Sequence, residues 1–103
     1  MDISQLGAML EQAQQMKQQM DERLTAQTFE ATSGGGAVTA RMNGKKELLT
    51  ITIAPAAASA ASGDITMLED LIVAAVNEAS RKVTAAEAAQ ASSMLGGLGL
   101  PGL

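Results

Sequence analysis

The chain has 103 residues, 47% of them apolar and 17% charged, which gives one small domain with enough apolar content to fold. It has no His, Cys, Trp or Tyr and a single Phe, which removes disulfides, imidazole or thiolate metal ligands and the commonest general base, and argues against an enzyme. Eleven acidic against seven basic side chains leave a net charge of −4, a field that repels nucleic acid and anionic membranes unless cations gather locally.

The first predicted element is an amphipathic helix from Ile3 to Leu24 or slightly beyond. Leu6, Met9, Ala13, Met16 and Met20 recur at helical spacing, while Gln12, Gln14, Gln15, Gln18 and Gln19 fill the other faces. Asp2 and Gln5 have the spacing of a capping box. Gly7 inside this helix costs about 1 kcal/mol against Ala. Three methionines make the seam soft and weakly selective for its partner.

Thr25, Thr28, Phe29 and Thr32 then favour a strand, which Ser33-Gly34-Gly35-Gly36 ends. That run lacks the Lys-Ser/Thr of a phosphate-binding loop and reads as a strand connection. A second strand over 37–42 runs into Asn43-Gly44, a hairpin signal because both residues tolerate positive φ. A third strand over 46–54 closes at Pro55. Val38, Ala40 and Met42 share a face with Leu49, Ile51 and Ile53; Thr39, Arg41, Thr50 and Thr52 take the other. With a two-residue loop, Arg41 and Lys46 oppose each other, and a bound anion would relieve the repulsion.

Residues 56–63 are almost all Ala and Ser, a loop or weak helical turn. Asp64, or Thr66 in a box with Glu69, caps a second long helix. Its stripe is Leu68, Ile72, Ala75, Ala79, Val83, Ala86 and Ala89, bulky early and small late. Glu78 and Lys82 are spaced for an i,i+4 ion pair. Glu69 and Asp70 suit the positive end of the helix dipole better than a metal, and no metal or cofactor is expected. From Ser92 onward Gly and Leu dominate, which predicts a mobile tail over 92–103 after a domain over 1–91. The longest bulky apolar run, Leu71 to Val76, is too short to span a bilayer, and the first residues do not read as a secretion signal.

The predicted fold is α+β: a long N-terminal helix, a three-stranded antiparallel sheet and a long C-terminal helix. The helices, roughly 22 and 26 residues long, span about 33 and 39 Å. A strand of roughly seven residues spans only about 23 Å. One small sheet cannot cover both stripes, so a homodimer is expected. Its interface is expected to draw on Leu49, Ile51, Ile53, Leu68, Ile72 and Val76.

The chain resembles the YbaB/EbfC family of nucleoid-associated proteins. The likeness is carried by Gln12-Ala13-Gln14-Gln15-Met16, by Asn43-Gly44 and by Ile51-Thr52-Ile53-Ala54-Pro55. It continues through the block from Met67 to Ala79 and the Gly-Leu-Pro-rich end. The resemblance implies a tweezer-like homodimer of the cytoplasm and nucleoid that binds double-stranded DNA with little sequence preference. It also implies a connection to recombination or replication proteins. The cations available for phosphates are Arg41, Lys45 and Lys46 at the hairpin tip, Arg81 and Lys82 on the second helix, and Lys17 and Arg23 on the first. The rival reading is a protein–protein adaptor in a repair or replication assembly with weak or no DNA contact, favoured by the acidic charge and the Leu-rich end.

Overall fold

The computed structural model describes residues 2–60 and 64–97. The order is α1 (Ile3–Ala26), β1 (Thr28–Ser33), β2 (Val38–Asn43), β3 (Leu48–Ile53), α2 (Pro55–Ala60) and α3 (Ile65–Gly97). Asp2 caps α1, accepting from the Ser4 backbone N–H at 3.4 Å and its hydroxyl at 3.1 Å, so the partner is Ser4 and not the Gln5 of a capping box. Thr25 belongs to the last turn of α1, not to a strand, and its hydroxyl donates to the Glu22 carbonyl at 3.0 Å.

The strands form one antiparallel sheet in the order β1-β2-β3. Gly34, Gly35 and Gly36 join β1 to β2 with φ of 62, 69 and 96°, a run of left-handed residues that only glycine adopts without strain. The β2–β3 turn departs from expectation. Gly44 is not left-handed; Lys46 is, with φ 62°. The Lys46 N–H donates to the Asn43 carbonyl at 3.1 Å and the Asn43 N–H to the Glu47 carbonyl at 3.0 Å. This is a three-residue loop closed by a left-handed residue.

Such a loop slips the register by one residue, which would turn Thr50 and Thr52 toward the core. The sheet corrects the slip within β3. Arg41 pairs with Thr50, but Met42 pairs with Leu48, so Leu49 is the extra residue of a bulge. Ala40 then meets Ile51 and Val38 meets Ile53 as the alternation requires. Arg41 therefore faces Thr50 and Glu30 on its neighbouring strands, and the expected Arg41–Lys46 opposition does not occur.

Pro55 opens the short helix α2 instead of merely ending β3, since its missing N–H is no loss at a first helical position. Asp64 caps α3, its carboxylate accepting from the Met67 N–H at 3.0 Å, so the Thr66–Glu69 box is not the cap. The helix continues to Gly97, past the break expected at Ser92, because the Ala-rich segment before it propagates the ladder. Residues 98–103 of the expected tail lie outside the described residues.

α3 lies across β1 and β2. The core is small: Ala31, Val38, Ala40 and Met42 from the sheet, and Ala75, Ala79 and Val83 from α3. Alanines on both sides let the helix approach closely. Ile51, Ile53, Leu68, Ile72 and Val76 are half-buried against this core, while Leu49 stays 48% exposed. The Ser33 hydroxyl donates to the Leu71 carbonyl at 2.5 Å, tying the end of β1 to α3.

α1 has no buried residue. Its seam stands in solvent, with Met9 and Met16 56% and 64% exposed. α1 and α3 do not close on each other: Met20 faces Glu87, Gln90, Ala91 and Met94 across a shallow cleft of about 200 Å³. The radius of gyration is 20.2 Å, where a compact chain of this length has about 13 Å.

Candidate nucleic-acid interface

The cations are arranged by the junction where the β2–β3 hairpin meets the end of α1. The Gly44 N–H donates to the Leu24 carbonyl at 2.9 Å, capping a helix end that would otherwise be unsatisfied. A Cβ on Gly44 would lie 2.8 Å from that carbonyl oxygen and 2.7 Å from Gln27 Oε1. Glycine is required here by close approach, not by positive φ. Asn43 is buried and organises the loop: its Oδ1 accepts from the N–H groups of Lys45 at 2.9 Å and Glu47 at 3.0 Å, and its Nδ2 donates to Glu47 Oε1 at 2.8 Å.

The three hairpin cations consequently diverge. Lys45 reaches back to α1, its Nζ 3.0 Å from Asp21 Oδ1 and 3.1 Å from Oδ2. The hydrogen bond and charge of Asp21 hold the Lys45 ammonium above its usual pKa, so it stays protonated well past neutrality. Lys46 projects from the loop tip, and Arg41 from the polar face of the sheet among Thr39, Thr50 and Thr52. Lys45 shares a cleft of about 380 Å³ with Gln14, Lys17, Gln18 and Asp21, which brings a cation of α1 and one of the hairpin together.

The second-helix pair is engaged elsewhere. Arg81 donates from Nε (2.9 Å) and Nη2 (2.6 Å) to Glu78 Oε2, so the partner of Glu78 is Arg81 and not Lys82. Lys82 donates to the Glu30 carbonyl at 2.6 Å. That contact caps the free edge of β1 with a lysine, a device that discourages strand addition. Among the described residues, Lys17, Arg23, Arg41 and Lys46 have no carboxylate within ion-pair distance. The role of Asp21 was not visible in the sequence, because its partner Lys45 lies 24 residues away.

Among the described residues no cluster of three or more acidic side chains could hold a metal ion. No described helix is long and apolar enough to cross a membrane.

Residues 1–98 match the model of the YbaB/EbfC DNA-binding family. The chain belongs to this family. It is 51% identical over 104 aligned residues to a nucleoid-associated protein of Acidobacterium capsulatum, covering 98% of this chain and 96% of that one. It is 46% identical to a nucleoid-associated protein of Koribacter versatilis, covering 94% of each. Among solved structures, an uncharacterized protein of Helicobacter pylori superposes with a TM-score of 0.68 at 27% identity, covering 92% of this chain and 98% of that one. Family membership agrees with the resemblance drawn from the helix, hairpin and Met67–Ala79 motifs. The α+β order of helix, antiparallel sheet and helix is that of the solved relative.

Proposed function

We propose that two copies of this chain pair, and that the pair binds duplex DNA on the nucleoid through backbone phosphates with little sequence preference. The observation that carries the DNA reading is Lys46. It stands in a left-handed conformation that costs a non-glycine residue roughly 1–2 kcal/mol, at a loop position that glycine usually fills. A cation kept at that cost, at an exposed tip, points to use of its charge. Lys17, Arg23 and Arg41 add charge not held by carboxylates. Phosphate contacts of this kind position a duplex without reading bases.

Pairing is supported by surface left without cover. The chain exposes 7305 Å², against about 5,400 Å² for a compact protein of this mass. The excess is larger than the roughly 800 Å² that each partner contributes to a standard interface. β3 has a free outer edge and half-buried Ile51 and Ile53, with Leu68, Ile72 and Val76 nearby in the same core. A second copy placed there extends the sheet and shelters those residues, and it doubles the cations. The adaptor reading gains nothing from the comparisons, whose relatives are named for the nucleoid.

The test is titration of a duplex of arbitrary sequence over a salt series, with sedimentation at the same protein concentration. A two-chain species with a log–log slope of about −4 to −7 is expected, for four to eight phosphates contacted. Lys46→Gly is expected to weaken binding while leaving stability unchanged or raised by up to about 1 kcal/mol, because strain is relieved. A single-chain species, salt-independent binding, or unaltered affinity in Lys46→Gly would refute the corresponding part.

A further inference from the structure

We propose that the Asp21 carboxylate occupies a phosphate position on Lys45, so that duplex DNA entering the cleft between α1 and the hairpin displaces Asp21 and engages Lys45 and Lys17. The proposal rests on the DNA-binding reading above and assigns an internal competitor to that surface.

Both carboxylate oxygens lie close to the ammonium, at 3.0 and 3.1 Å, as two oxygens of one phosphate would. The side chains are 36% and 52% exposed, so a polyanion reaches the pair directly. The remaining lining suits an anion: Lys17 adds a second ammonium, and Gln14 and Gln18 add amide donors. Without Asp21 the cleft holds two positive charges and no negative one.

The exchange is also mechanically simple. The Lys45 backbone is held by Asn43 Oδ1, and the preceding Gly44 is fixed on the Leu24 carbonyl. Displacement therefore needs only rotation of the Asp21 side chain on an exposed helix face. An exposed ion pair is a weak competitor, whereas a phosphate contact also releases counterions. Asp21 thus lowers affinity without blocking the site and disfavours weaker, isolated anions.

The experiment compares binding of one duplex, at one low salt concentration, by the wild type, Asp21→Asn, Lys45→Gln and the double variant, with circular dichroism to check the fold. Exposed pairs of this kind correspond to roughly 1.4- to 5-fold in affinity per protomer, hence about 2- to 30-fold for a pair of chains. Asp21→Asn is expected to bind tighter by that factor, Lys45→Gln weaker, and the double variant no tighter than Lys45→Gln alone. The non-additivity is the decisive readout, since generic removal of negative charge would help equally in both backgrounds. An Asp21→Asn variant that binds no tighter than the wild type, or the same gain in the Lys45→Gln background, overturns the inference while leaving DNA binding intact. Absence of salt-dependent binding by the wild type removes the functional reading and this inference with it.

Discussion

Replacing Gly44 by alanine is expected to destabilise the fold by about 1.5–4.5 kcal/mol, the combined cost of a weakened hydrogen bond and local overpacking. The added Cβ would meet three atoms: Gln27 Oε1 at 2.7 Å, the Leu24 carbonyl oxygen at 2.8 Å and Leu24 Cδ2 at 3.2 Å. The Gln27 amide can swing away. The Leu24 oxygen cannot, because it is backbone at the end of α1 and accepts from both Gly44 (2.9 Å) and Gln27 (3.3 Å). The hairpin must therefore back away from α1. That weakens a hydrogen bond with a net worth of about 0.5–1.5 kcal/mol, and overpacking adds about 1–3 kcal/mol. Urea unfolding followed by circular dichroism, at fixed protein concentration, should show the midpoint falling by about 1–3 M, for a slope of about 1.5 kcal/mol per M. Gly7→Ala is the internal control. The same Cβ there meets nothing within 4 Å inside a helix, so stability should rise by about 1 kcal/mol. A Gly44→Ala protein that unfolds at or above the wild-type midpoint would refute the close-approach argument.

Asn43→Ala removes three hydrogen bonds from a buried side chain and leaves the N–H groups of Lys45 and Glu47 without their acceptor. A loss of about 1–3 kcal/mol is expected, read from the same urea transition. Val83, fully buried where α3 crosses the sheet, should cost about 2 kcal/mol when cut to Ala, since two methyl groups leave a cavity in a core made largely of alanines. A thermal melt detects either change, and a Val83→Ala melt matching the wild type would place the core elsewhere.

Much of this protein is legible in its sequence, because the signals are local. The spacing of Leu6, Met9, Met16 and Met20 specifies α1 whether or not anything covers it. The Leu68 to Val83 stripe specifies the face of α3 that is buried, and Ala40, Ala75 and Ala79 meet in one core as the alternation and the stripe demand; Ala31 joins them from β1, where the sequence offers no clear alternation. Alternation along β2 and β3 identifies Val38 and Ala40 with Ile51 and Ile53 as the apolar face although the loop has three residues and not two, because the bulge at Leu49 restores the alternation; Met42 is met by Leu48 and not by the expected Leu49. Asn43-Gly44 marks the hairpin correctly for an incomplete reason: the left-handed residue is Lys46, and Gly44 is needed for its approach to α1.

The fate of each cation was decided only by tertiary structure. Lys45 meets Asp21 across 24 positions, and Lys82 meets the Glu30 carbonyl across 52. Sequence spacing can propose a Glu78–Lys82 pair, but it cannot show that α3 sets Lys82 against the edge of β1 and leaves Glu78 to Arg81. Helix and strand formation follow from neighbours three, four or two residues away. A charge takes its partner from whatever the folded chain places within a few ångströms, and that distance is set by how the elements pack.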